Sequence, residues 1–307
     1  MGYLQTKLSP PGAPASRIPL LARAASNRAA LYRASGLSLA AERPPGSAHW
    51  PAIGLPPVAL DVMVTPELLV LWDVDHTLLD AGGLSSRLYG VVFAELFGHE
   101  LPQVAPMAGR TDRAIITETL TLAGVPDPRG HVAAFIAGLT RQAPSYGELV
   151  RRRGHALPGA MAALTALAAP PATTAPNGTT RARQSVLTGN IRPLAEVKLG
   201  VLGLRGWLDL DIGAFGDTHE VRSELVHVAR ARAAAAAGTD FGGRATVLVG
   251  DTPLDVAAAL ATGARAVGVA TGDFSEADLA AAGAHAVLPD LTDTPRVLAA
   301  IRARREQ

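Results

Sequence analysis

Hydrophobic positions along this chain follow two different periods. Leu68 to Trp72 is an unbroken apolar run, LLVLW, and short runs rich in apolar residues recur at 185–188, 208–215, 245–249, 265–270 and 286–288. Continuous runs of this length predict strands buried on both faces of a parallel sheet. Between them, apolar residues recur three and four apart, which predicts helices over 160–168, 194–202, 220–237, 253–262, 275–282 and 295–304. Strands alternating with helices predict βαβ units and a doubly wound, Rossmann-like parallel sheet of the α/β class.

One stretch breaks the alternation. From 83 to 153 no convincing strand pattern occurs, and helical spacing predicts helices at 84–98 and 111–122 and one or two more over 128–153, before Leu157-Pro158-Gly159 closes the segment. The expected organisation is a core made of 63–80 and 158–307, interrupted by an all-helical cap at 81–157. Residues 170–183, PPATTAPNGTTRAR, predict a loop longer than such connections usually need.

Residues 1–62 do not carry a core pattern. Nine prolines between Pro10 and Pro57 forbid long helices and central strands there, so the expectation is a disordered or extended tail. Its first 41 residues hold five basic residues and no acid, which superficially fits an organellar transit peptide; a reading frame whose natural start is Met63 is the plainer account.

Composition narrows the chemistry. The formal net charge of +1, from 28 basic and 27 acidic residues, is not the concentrated basic excess of a nucleic-acid surface. The absence of cysteine removes disulfides, zinc–thiolate sites and cysteine nucleophiles. Mean hydropathy is +0.21, yet no apolar segment reaches the length of about 18 residues that a membrane span needs. A soluble, cytoplasmic protein, monomeric or homodimeric, is expected. Only two of the 28 basic residues are lysines, Lys7 and Lys198, a bias that reads as coding composition.

Three strand ends carry polar signatures: DVD at 73–75, TGN at 188–190 and GDTPLD at 250–255. In an open α/β sheet these ends gather on one edge, where ligands bind. Asp73 and Asp75, two apart on extended chain, are expected on one side, where they repel unless a cation or a shared proton separates them. A solvent-facing strand cap is the alternative for this pair taken alone. If a cation is held, Mg²⁺ suits a few carboxylates plus phosphate oxygens. Asp73 can serve as a nucleophile toward phosphorus. Thr188 and the N–H of Gly189, with Asn190 beside them, can hold phosphoryl oxygens, the glycine allowing close backbone approach. Asp251 adds a carboxylate for the metal, and Asp255, a turn further on, can orient the ligands.

These motifs resemble those of the haloacid dehalogenase-like (HAD) superfamily, in its phosphoglycolate phosphatase and β-phosphoglucomutase-like branch: DVDHTLLD is similar to the first motif, Thr188 in LTGN to the second and GDTPLD to the fourth, over about 66–307. The resemblance implies a Rossmann-like core with a helical cap, Asp73 as nucleophile and metal ligand, Asp75 as general acid/base that binds Mg²⁺ through its carbonyl, and Asp251 as the remaining protein ligand. It implies a Mg²⁺-dependent phosphomonoester hydrolase that acts on a small phosphorylated metabolite through an aspartyl-phosphate. The alternatives are a phosphomutase or phosphotransferase on sugar phosphates, and a catalytically degenerate binding protein of the same fold.

Two departures from the family pattern stand out. His76 occupies the place of the usual glycine after the second aspartate, which alters the turn or brings an imidazole to the leaving group. The customary lysine at the start of the helix after the third strand is missing. Arg222 is favoured as its replacement, with Lys198, placed within the preceding helix, as the alternative expected to matter little. MAGRTD at 107–112 corresponds to the substrate-specificity loop, where Arg110, and secondarily Arg113, could meet a substrate anion.

Overall fold

Every strand of the main sheet runs parallel to its neighbours, and β1 (Glu67–Trp72) lies near its centre. The computed structural model describes residues 67–169 and 181–303, all within one compact unit. The expectations for residues 1–62, and for 170–180 of the long loop, lie outside the described residues.

The remaining strands are β2 (Leu79–Asp80), β3 (His155–Ala156), β4 (Arg181–Thr188), β5 (Ala214–Phe215), β6 (Thr246–Gly250), β7 (Arg265–Val269) and β8 (Ala286–Leu288). Their order is β5-β4-β1-β6-β7-β8, while β2 and β3 form a separate antiparallel pair. The helices are α1 (Ser85–Phe97), α2 (Asp112–Leu122), α3 (Pro128–Arg153), α4 (Ala160–Ala168), α5 (Arg192–Val201), α6 (Arg222–Ala237), α7 (Pro253–Ala261), α8 (Glu276–Ala281) and α9 (Thr294–Arg302). The sheet has two buried faces, which is why β1 reads as a continuous apolar run. Val70 and Trp72 pack into one apolar cluster, Leu69 and Leu71 into another, and all four are fully buried. Each such side chain contributes roughly 1.5–3 kcal/mol by leaving water.

Three local expectations need correction. The third strand, read over 208–215, is only the two residues of β5. Leu208, Leu210 and Ile212 are buried as an alternating pattern demands, but a turn closed by Gly213 N donating to Leu210 O precedes the ladder. Burial alone therefore produced the strand-like spacing. Conversely, β4 begins at Arg181, four residues before the expected strand, because Arg181–Gln184 pair with Glu67–Val70 and Arg183 Nε lies 3.0 Å from Glu67 Oε1. The β2–β3 pair had no sequence signal, since two residues are too few to show a period. It joins the two ends of the helical segment, with Leu79 opposite Ala156 and Asp80 opposite His155.

Within that segment α3 runs unbroken for 26 residues despite Pro144. It packs on α5, where a Cβ on Gly147 would overlap Val197 Cγ1, so a larger residue would force Val197 to shift. No helix among the described residues is long and apolar enough to cross a membrane.

Candidate active site

The carboxyl ends of β1, β4 and β6 converge. Asp73 follows β1 directly and its N–H donates to Val249 O of β6 at 2.8 Å, which ties the two strand ends together. Asp73, Asp251 and Asp255 are all buried, with carboxylate oxygens within 4.8 Å of one another. Burial raises the pKa of Asp73; Arg222 opposes this, but Asp255 and Asp75 add to it and the net shift is upward. Asp251 is raised for the same reason, by burial first and then by Asp73 and Asp255. A single guanidinium is too little positive charge for three buried acids.

That guanidinium belongs to Arg222, the first residue of α6. Its Nη2 lies 2.8 Å from Asp73 Oδ1 and donates to Asp255 Oδ1 at 2.6 Å, while Nη1 donates to Gly109 O at 3.1 Å. The other oxygen of Asp255 accepts from Thr252 N and Thr252 Oγ1 and completes a capping box on α7. Asp251 accepts from Thr77 Oγ1 at 3.2 Å.

Asp75 faces a different cation. Lys198 Nζ donates to both of its oxygens at 2.8 Å and to Asn190 Oδ1 at 2.7 Å, and Asn190 Nδ2 donates to Asp75 Oδ2 at 2.6 Å and to Thr188 Oγ1 at 2.7 Å. Burial alone would raise the Asp75 pKa, but Lys198 and these hydrogen bonds outweigh it and hold the carboxyl below its ordinary value. Lys198 is only 1% exposed and sits beneath the Tyr146 ring of α3, with Nζ 5.8 Å from the centroid. The expectation that Lys198 stands aside is thus corrected. Mid-helix placement did not keep it out of the site, because α5 turns that face inward toward β1.

The helical segment closes over these groups. A cavity of about 460 Å³ is lined by Asp73, Thr188 and Asp251 from the sheet edge and by Ser86, Met107 and Arg110 from the segment. His76 also lines it, exposed and with φ of 58°, the left-handed region that favours glycine. Arg110 is not free in this state. Its Nη2 lies 2.6 Å from Glu118 Oε2 and its Nη1 donates to Pro106 O at 3.1 Å. Arg113 is not among the cavity-lining residues; its backbone N–H donates to Gly216 O at 3.0 Å. Gly189 has a steric reason besides the anticipated N–H: a Cβ there would sit 1.9 Å from Arg110 O.

Sequence reading missed Tyr89, Asp112 and Tyr146. Asp112 stands inside MAGRTD, where an acid in the first turn of a helix reads as ordinary dipole compensation. Nothing in the spacing of Tyr89 or Tyr146 sets them apart from core aromatics.

Residues 224–294 match a family model described as HAD-hydrolase-like. No curated protein matches the chain in sequence. Among solved structures, it is similar to a hydrolase from Pseudomonas syringae, at 19% identity and TM-score 0.54, over 77% of this chain and 100% of that one. A predicted phosphatase from Clostridium acetobutylicum aligns at 16% identity and TM-score 0.53 over 76% and 98% of the two chains. A protein named as a candidate β-phosphoglucomutase from Bacteroides vulgatus aligns at 16% and 0.50, over 78% and 92%. At these identities the likeness is one of fold. Residues 224–294 are thus similar to the HAD-hydrolase-like family, and the parallel sheet with its order of elements has the fold of these hydrolase and phosphatase structures.

Proposed function

We propose that the protein is a Mg²⁺-dependent phosphomonoester hydrolase, with the helical segment 81–157 as its cap and a small phosphorylated metabolite as its substrate. The observation that carries this reading is the position of Asp73: buried at a strand end, 2.8 Å from Arg222 Nη2, and opening on a cavity of about 460 Å³. Asp73 Oδ attacks phosphorus, the ester P–O bond breaks, and an aspartyl-phosphate results. Water then attacks phosphorus, phosphate departs and the Asp73 carboxylate returns.

Asp75 is the proton carrier in this scheme. Held ionised by Lys198 and Asn190, it is set to accept the proton of the attacking water. It must gain a proton before it can supply one to the leaving alcohol. Arg222 opposes the charge that builds between nucleophile and phosphoryl oxygens. Thr188 Oγ1 and the Gly189 N–H complete the phosphoryl-binding edge.

The donor set fits a hard divalent cation: buried carboxylate oxygens, no nitrogen or sulfur ligand, and net negative charge after Arg222 is counted. Asp255 has both oxygens engaged by Arg222 and Thr252, so Asp73 and Asp251 are the carboxylates that would hold the ion, with the Asp75 carbonyl as implied by the family. When bound, Mg²⁺ supplies the charge that keeps Asp73 ionised beside an anionic phosphoryl group.

The test is phosphate release from a panel of phosphorylated metabolites with Mg²⁺. Wild-type protein is expected to hydrolyse some of them, EDTA to stop it reversibly, and Asp73→Asn to abolish it. Full activity in Asp73→Asn would remove the aspartyl-phosphate. Conversion of a sugar phosphate to its isomer without phosphate release would identify a phosphomutase instead. Silence across the panel would favour a binding protein.

A further inference from the structure

Asp112 and Tyr89 form a buried polar pair that the proposed chemistry does not use. Asp112, the first residue of α2, is 7% exposed and Tyr89, on α1, is 1% exposed. The Tyr89 hydroxyl donates to Asp112 Oδ1 at 2.6 Å, the Ile191 N–H donates to Asp112 Oδ2 at 2.8 Å, and the Asp112 N–H donates to Gly189 O at 2.7 Å. One residue of the helical segment therefore grips the loop after β4 from both sides. Among the described residues no cation forms an ion pair with the carboxylate; burial raises its pKa, and the donors Tyr89 and Ile191, with the charge of Lys198 behind them, only partly offset this.

An acid kept there at such a cost should hold something that matters elsewhere. The gripped residues, Gly189 to Ile191, flank Asn190, whose amide spans Asp75, Thr188 and Lys198. On its other side the loop is held by Gly216, whose N–H donates to Asn190 O at 2.8 Å, and Arg113 N–H in turn donates to Gly216 O. Tyr89 is itself braced by Phe135 of α3, with ring centroids 5.2 Å apart. The chain of contacts thus runs from three helices of the segment, through one carboxylate, to the amide that orients Asp75.

We propose that Asp112 is a positioning residue: by clasping Gly189 and Ile191 it sets Asn190, and through Asn190 the Asp75–Lys198 pair, so that the proton carrier is assembled only when the helical segment is seated on the sheet edge. The claim rests on the reading of Asp75 as acid/base. Both donors require an acceptor, and a carboxylate offers two. An asparagine side chain offers one acceptor atom and one donor atom, so Asp112→Asn can no longer accept from both Tyr89 and Ile191 although its size is unchanged, and Tyr89→Phe removes the bond that holds the Asp112 carboxylate in place.

The experiment joins hydrogen exchange with kinetics. In Asp112→Asn and in Tyr89→Phe, amide exchange at Asn190 and Ile191 is expected to rise at least tenfold while the strands of the sheet keep their protection. The kcat for the best phosphomonoester is expected to fall about 10- to 100-fold, with KM and the Mg²⁺ concentration for half activity changed less than threefold, the usual scale for removing a group that orients a ligand. Asp112→Ala should be worse than Asp112→Asn. Unchanged exchange at 190–191, or unchanged kcat with raised exchange, overturns the proposal. A fall in kcat that follows only the folded fraction in thermal unfolding also overturns it, as it marks a merely structural role. If wild-type protein releases no phosphate from any substrate, the phosphatase reading falls by itself, and exchange at 190–191 alone decides whether the clasp exists.

Discussion

Lys198 and Asp75 form a two-point ion pair, with Nζ 2.8 Å from each carboxylate oxygen, just beyond the strand end that also carries Asp73. The positive charge of the site is divided: Lys198 serves Asp75, and Arg222 serves Asp73 and Asp255.

Lys198→Met keeps the length of the side chain and removes its charge. Asp75 would retain only the Asn190 amide, so the carboxyl would protonate more readily and lose its fixed orientation. The expected result is a fall in kcat by a factor of about 10², comparable to that for Arg222→Ala, each being the loss of one preorganised charged group. Steady-state kinetics at saturating Mg²⁺ check it, and wild-type kcat in Lys198→Met would restore Arg222 as the sole catalytic cation.

Stability should depend on pH in a direction that Mg²⁺ reverses. Burial and mutual repulsion push Asp73 up to about 7 and Asp251 up to about 9 from 3.8, so the folded state binds more protons than the unfolded chain between those limits. The contribution of these two acids to the stability of the metal-free protein is then fully present below the unfolded value and is lost as pH rises toward 9. Mg²⁺ competes with those protons and binds the folded state, so its stabilisation should grow with pH. Thermal unfolding at pH 6 and pH 8.5, with EDTA or with Mg²⁺, would show it; an equal Mg²⁺ effect at both pH values would mean that these acids do not hold the ion.

Gly189→Ala should separate the two loops that meet there. The new methyl would meet the backbone oxygen of Arg110 at 1.9 Å, and a backbone atom cannot rotate away as a side chain does. We expect a loss of about 1–3 kcal/mol in urea unfolding, the range for forced overpacking, together with a raised KM. Wild-type stability in this variant would show that loop 107–112 moves freely off the sheet edge.

His76→Gly should stabilise the fold. A left-handed φ costs a non-glycine residue roughly 1–2 kcal/mol, against about 0.5–1 kcal/mol for the greater freedom of glycine in the unfolded chain. A net gain of about 0.5–1 kcal/mol is expected. If instead the variant is less stable, the His76 side chain contributes more than the backbone strain costs.

The sequence by itself determined the alternating core, the helical segment and the three polar strand ends, because each rests on local periodicity or on residues within a few positions of one another. Buried two-sided strands have no choice but to be continuously apolar, and Asp73, Thr188 and Asp251 stand where such runs stop. What only the tertiary structure decided is which charge meets which. Lys198 reaches Asp75 across 123 positions and Arg222 reaches Asp255 across 33, and neither distance leaves a trace in spacing. The same holds for Asp112, whose grip on Ile191 spans 79 positions and depends on how α2 seats against the end of β4. Burial patterns also misled where they were local: Leu208, Leu210 and Ile212 alternate like a strand but line a turn, since an apolar residue needs only to be covered, by whatever backbone path brings it inside.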